Sequence, residues 1–291
     1  MERYILSIDQ STQGTKAMLF DVAGQLTARA DRAHRQYVNE KGWVSHDLDE
    51  ILSNTLAVAR DVLAKADVWP EQIVAVGISN QRETVAAWNR TTGEPVGKAI
   101  VWQCARAKDI CEKLTAHADT VQQKTGIPLS PYFSAPKMAW ILQNEPGAAE
   151  LAEKNKLCFG TIDSFLVSHL TEEKAFKTDY SNASRTQLFN IHTLQWDEEL
   201  CRIYGVPETC LPEVCMSDSV FGYTTFGGLL KTPVPLCGVL GDSHAALLDQ
   251  ASCLAVGSAQ PALYQQIHHA DLAVGQVALA QRGGGHVLGI G

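Results

Sequence analysis

The chain has 291 residues, 45% hydrophobic and 19% charged, with a net charge of -8 and an isoelectric point near 5.6. This is the composition of a folded chain with material for one large or two modest domains, and it excludes a disordered or fibrous one. Without a basic patch no nucleic-acid partner is expected, and no apolar window approaches the length that crosses a bilayer, so no membrane partner is expected either.

The first residues, MERYILSIDQ, lack a basic region followed by a long apolar stretch, which argues against a secretory leader. Residues 4–21 (YILSIDQSTQGTKAMLFD) read as a hairpin: an apolar run ending in Asp9, a hydroxyl-rich tip, then Lys16 and a second apolar run. Backbone N–H groups, hydroxyls and one Lys suit a phosphate chain, and Asp9 is placed to hold Mg²⁺ through water. An ordinary polar turn fits the same residues equally well. The pattern is neither a P-loop nor G-x-G-x-x-G.

A third apolar strand is expected near residues 25–30, then a polar loop, then a helix starting at Asp47. Leu48, Ile51, Leu52, Leu56, Ala59, Val62 and Leu63 recur at helical spacing, and Asp47 with Glu50 resembles a capping box. Residues 73–79 (IVAVGIS) read as a strand buried on both faces. Three strands, a helix and a strand, with an acid ending the first strand, match the ribonuclease H-like α/β layout of actin and the sugar kinases. Residues 157–161 and 235–241 read as further buried strands, and 164–169 and 197–204 as short helices. The Gly and Pro residues between 221 and 235 predict an exposed loop or hairpin.

The eight cysteines form no C-x-x-C, so a zinc site is not expected and reduced thiols in the cytoplasm are. His268 and His269 read as surface residues.

Four short stretches carry candidate chemistry. Arg82 and Glu83, after the 73–79 strand, offer a donor fork beside an acceptor, a pair that suits vicinal hydroxyls; a plain surface ion pair is the competing reading. Trp102 and Tyr132 could wall a small polyol or simply pack in a core. Asp242 follows an apolar strand and precedes a helix, a station for a general base or an ordinary N-cap.

The ordered set DQSTQGTK, NQRET, VWQC, PYFS, FGTIDSFL, TDYSNASRT and GDSHAAL resembles the FGGY family of carbohydrate kinases. NQRET, WQC and PYFS point to its glycerol-kinase branch. The resemblance implies that Asp242 is the base for phosphoryl transfer from ATP. Arg82, Glu83, Tyr132, Asp242, Ser243 and Trp102 would hold glycerol or a similar small polyol. Thr12, Gln13, Gly14 and Lys16 would meet the phosphates, and Asp9 the Mg²⁺. Departures from the family pattern at residues 11–16, Ala105 and Ala135–Pro136 leave a ketopentose or other small sugar open as substrate. Homo-oligomerisation stays open.

The resemblance runs from about Tyr4 to Leu247, and residues 1–247 read as the family's N-terminal substrate-binding domain. Family members continue with a Gly-Thr-Gly loop and a second domain bearing most of the adenine site. Residues 248–291 match nothing in the family and carry no Gly-Thr-Gly. The expectation is a frameshifted or truncated tail, so that the chain alone turns over little or acts as an inactive fragment or interaction module.

Overall fold

The computed structural model describes residues 2–247. The tail unit expected at 248–291, with His268, His269 and the possible helix or strand at 272–280, lies outside the described residues.

Strand β1 (Tyr4–Gln10) buries alternate residues, Tyr4, Leu6, Ile8 and Gln10. Period-2 burial follows from the pleat, and each fully buried Leu or Ile contributes about 1.5–3 kcal/mol. Strand β2 (Gly14–Asp21) pairs antiparallel with β1, placing Asp9 opposite Lys16. Gly14 sits at the turn because a Cβ there would lie 2.4 Å from the Arg32 carbonyl oxygen.

The third strand is present as expected: β3 (Leu26–Ala33) runs past the expected 25–30 and is mostly exposed. The reason is its place at the sheet edge, where Arg29, Asp31 and Arg32 blunt the open side. The polar loop that follows contains two short strands, Tyr37–Val38 and Val44–His46, which the sequence did not reveal.

Helix α1 (Leu48–Ala66) starts where expected: the Asp47 side chain accepts from the N–H groups of Asp49 and Glu50. The reciprocal half of a capping box does not form, since the Glu50 carboxylate accepts from the Arg35 N–H instead. Thr55 joins the buried face by donating its hydroxyl to the Ile51 carbonyl, 2.8 Å away. The helix ends at Asp67 in the left-handed region.

Strand β4 (Ile73–Asn80) returns parallel to β1. Strands β5 (Val220–Thr224) and β6 (Val234–Gly241) form a hairpin, and β6 lies parallel to β4. The sheet order is β5-β6-β4-β1-β2-β3. This mixed sheet is the expected ribonuclease H-like arrangement. Within 221–235 the hairpin reading holds, but the segment is not simply exposed: Phe221, Phe226 and Leu230 are buried.

Helix α2 (Ser134–Asn144) and helix α3 (Ile162–Leu170) are anchored around a separate two-stranded ribbon, Ala86–Asn89 with Leu157–Gly160. The ribbon divides two cores. Ala86, Trp88 and Cys158 face the core under the main sheet, whereas Ala87, Leu157 and Phe159 face a second core with Val101, Met138, Ile141 and Leu200. Alternation along a strand buried on both sides explains why 157–161 reads as continuously apolar. Among the described residues no helix is long and apolar enough to cross a membrane.

Candidate active site

The three parallel strands β1, β4 and β6 end level with one another: Gln10 pairs with Asn80, and Asn80 with Gly241. Ligands in such sheets bind beyond the carboxyl ends of the strands, and the candidate residues follow immediately there. Asp9 precedes the end of β1, Arg82 and Glu83 leave β4, and Asp242 leaves β6 to open a helical turn over residues 242–247.

Arg82 is the centre of the cluster. Its Nη2 donates to Ser243 Oγ at 2.9 Å, and its Nε lies 3.3 Å from Asp242 Oδ1. Its Nη1 is 3.1 Å from His244 Nδ1. A guanidinium only donates, so Nδ1 is the acceptor and the ring proton sits on Nε2. Burial, reinforced by Arg82 and Arg185, holds the His244 imidazole neutral, pushed down to about 3. Asp242 accepts from the Ser243 N–H at 2.7 Å and keeps a side chain 45% exposed, against 12% for Arg82. The carboxylate is therefore fixed from the protein side and open toward solvent.

Glu83 lies deeper. It has a positive φ of 60°, rare for a residue with a side chain. Its Oε1 accepts from Arg185 Nε at 2.6 Å. Burial first, then Glu83, raises the Tyr132 phenol, while Arg185 and Arg82 pull the other way. The Tyr132 ring is 5.4 Å from Trp102, and Trp102 Nε1 donates to Thr12 Oγ1 at 2.9 Å. That bond ties the aromatic wall to the hairpin tip.

At the tip, the backbone N–H groups of Thr12 and Gln13 bond to no other described residue. Lys16 is not in the tip but on β2, and its ammonium lies 2.6 Å from Asp9 Oδ2. It neutralises Asp9 directly. Among the described residues no three His, Cys, Asp or Glu side chains converge. The Asp9 carboxylate is thus paired with an ammonium and belongs to no such cluster among the described residues.

Three residues of this neighbourhood received no role from the sequence. Arg185 stands inside the motif TDYSNASRT, which was visible, but nothing local says whom it pairs with. His244 follows Asp242 by two residues and reads as a helix residue. Lys137, on α2, is fully buried, donating to the Phe133 carbonyl at 3.0 Å and to the Tyr132 carbonyl. Burial pushes its ammonium down to about 7.

Gly241 is required by packing. A Cβ there would lie 2.6 Å from Arg82 Cγ and Cδ. Gly241→Ala is therefore expected to displace Arg82 from Ser243 and shift the backbone amide resonances of residues 242–244, while the urea midpoint of unfolding moves little. Amide NMR spectra beside a denaturation curve check this; unchanged resonances would refute it.

A family model described as the FGGY family of carbohydrate kinases, N-terminal domain, matches residues 4–248. The chain belongs to the FGGY family of carbohydrate kinases. Among curated FGGY relatives, it is 48% identical over 265 residues to the glycerol kinase of Treponema denticola, covering 89% of this chain and 53% of that protein. It is 50% identical over 256 residues to the glycerol kinase of Alcanivorax borkumensis, covering 87% and 51%. The Plasmodium falciparum glycerol kinase crystallised with ADP superposes with a TM-score of 0.79 at 35% identity, over 86% of this chain and 50% of that one. A xylulose kinase from Rhodospirillum rubrum shares the fold, at TM-score 0.75 and 20% identity. The chain spans about half the length of the curated relatives it matches.

Proposed function

We propose that this chain, through residues 1–247, binds glycerol and takes part in its ATP-dependent phosphorylation to glycerol 3-phosphate, in the cytoplasm. The observation that carries the reading is the Arg82–Ser243–Asp242 cluster, which sets a carboxylate 3.3 Å from the guanidinium of a hydroxyl clamp. The similarity to curated glycerol kinases supports the choice of polyol. The seven described cysteines, all unpaired, support the compartment.

In this reading Arg82 donates to one glycerol hydroxyl and Glu83 accepts from its neighbour. Trp102 and Tyr132 cover the carbon edge. Asp242 accepts the proton of the attacking hydroxyl as the new O–P bond forms and the bridging P–O bond of ATP breaks. The free N–H groups of Thr12 and Gln13, with Gly14 allowing close approach, face the phosphates, and Lys16 balances Asp9. Mg²⁺, when bound, supplies neutralisation of phosphate charge, and Asp9 would hold it through water. Phosphoryl transfer asks mainly for such positioning.

Because the chain spans half of its relatives, binding and turnover are separate expectations. Calorimetry with glycerol, 1,2-propanediol and a ketopentose tests the half-site; ATP consumption with the same panel and Mg²⁺ tests the reaction. Glycerol binding in preference to the others is expected. A chain that prefers the ketopentose, or binds none of the panel, refutes the glycerol reading.

A further inference from the structure

Trp102 apart, the parts of the proposed polyol site follow β4, precede α2 or follow the end of β6. These three lean on one short stretch, residues 179–186. Asp179, fully buried, accepts from the N–H groups of Ser181 and Asn182 and so caps the single turn Tyr180–Ala183. Ser181 Oγ accepts from the Gly241 N–H at 2.8 Å, holding the end of β6 beside Asp242. Asn182 exchanges two amide hydrogen bonds with Asn80, at 2.9 and 3.0 Å, holding the end of β4. The Thr186 carbonyl accepts from the Ala135 N–H at 2.8 Å, holding the start of α2 next to Tyr132. Arg185 completes the set on Glu83.

From this geometry we infer that Arg185 is the positioning residue that sets Glu83 for the polyol, an inference that rests on the glycerol reading. Both side chains are nearly withdrawn from solvent, at 13% and 3% exposure. Glu83 occupies left-handed backbone, which its surroundings must enforce. Arg185 takes Oε1 and leaves Oε2 as the acceptor for a hydroxyl. Its guanidinium carbon also lies 5.0 Å from the centroid of the Phe133 ring. A planar guanidinium can stack on a ring and donate within its own plane at once, whereas an ammonium cannot do both. Arg185 is thus held from two directions, and Glu83 is held by Arg185. The adjacent contacts act in the same sense: Ser134 Oγ donates to the Glu83 carbonyl at 3.3 Å.

The test compares the parent chain with Arg185→Lys, which keeps the charge, and Arg185→Gln, which keeps hydrogen-bond donors without it. Folding is verified by urea denaturation. Calorimetry then gives the affinities for glycerol, 1,2-propanediol and 1,3-propanediol, each analogue lacking one hydroxyl. The expected result is that both variants bind glycerol at least tenfold more weakly. For one of the two analogues the preference for glycerol also collapses to within about threefold, because the acceptor for that hydroxyl is no longer aimed. A merely structural Arg185 would leave the ratio of affinities where it was. If the parent discriminates and Arg185→Lys and Arg185→Gln keep its ratios, whether or not affinity falls, the inference is overturned while the glycerol reading stands. If the parent binds none of the three, the glycerol reading fails and the inference with it.

Discussion

On the proposed reading of Asp242 as the base, Asp242→Asn is expected to lower whatever glycerol-dependent ATP turnover the chain supports by about 10²–10⁴-fold, the usual contribution of a positioned general base. Asn keeps an oxygen that can accept from the Ser243 N–H, the bond that Asp242 makes at 2.7 Å. It also keeps a neutral acceptor near Arg82 Nε, now 3.3 Å from the carboxylate. Glycerol affinity is therefore expected to change only a few-fold while the rate constant falls, a split that steady-state kinetics with parallel calorimetry resolves. The opposite split, with affinity lost and turnover of the bound polyol intact, would make Asp242 a binding residue and remove it as the base. His244 is a poor substitute base in the variant: its Nδ1 is taken by Arg82, and its ring is buried and held neutral.

Trp88→Ala is expected to cost about 3–5 kcal/mol of unfolding free energy, the range for deleting a large buried aromatic side chain. Trp88 is 1% exposed and meets Phe165, Phe176 and His169 edge-on, with ring centroids 5.6, 5.5 and 6.0 Å away. Neighbouring backbone cannot close the cavity cheaply, because Trp88 sits on the ribbon shared by the two cores: Ala87 on its other face packs with the second cluster. Set against a total stability of about 5–15 kcal/mol for a typical domain, that loss takes a large share. Urea titration followed by circular dichroism measures it. A loss below about 1 kcal/mol would mean that α3 settles into the vacated space, contrary to the packing argument.

The two substitutions separate the site from its support. Asp242 is 45% exposed at a strand end, so its loss should be felt in rate and hardly in stability. Trp88 belongs to the main core, so its loss should be felt in stability first.

Much of this protein was determined by local sequence alone. The β1–β2 hairpin, helix α1 and strand β4 were legible because burial with period 2 or 3.6 is written in consecutive residues, and Asp47 marks its helix start. Arg82, Glu83 and Asp242 were legible as candidates because each immediately follows an apolar strand. What those residues touch was not legible. That β3 would be an exposed edge was not legible, because edge position depends on which strand lies beyond it. The burial of Lys137 under the carbonyls of Tyr132 and Phe133 had no local signal either. Arg185 reaches Glu83 across 102 positions of chain, and Arg82 reaches His244 across 162. Pairings of that range carry no local period or cap; they exist only once parallel strands β1, β4 and β6 align their ends. Sequence thus chose the elements and the chemistry they carry, and the tertiary structure chose the partners, because a hydrogen bond depends on distance in space.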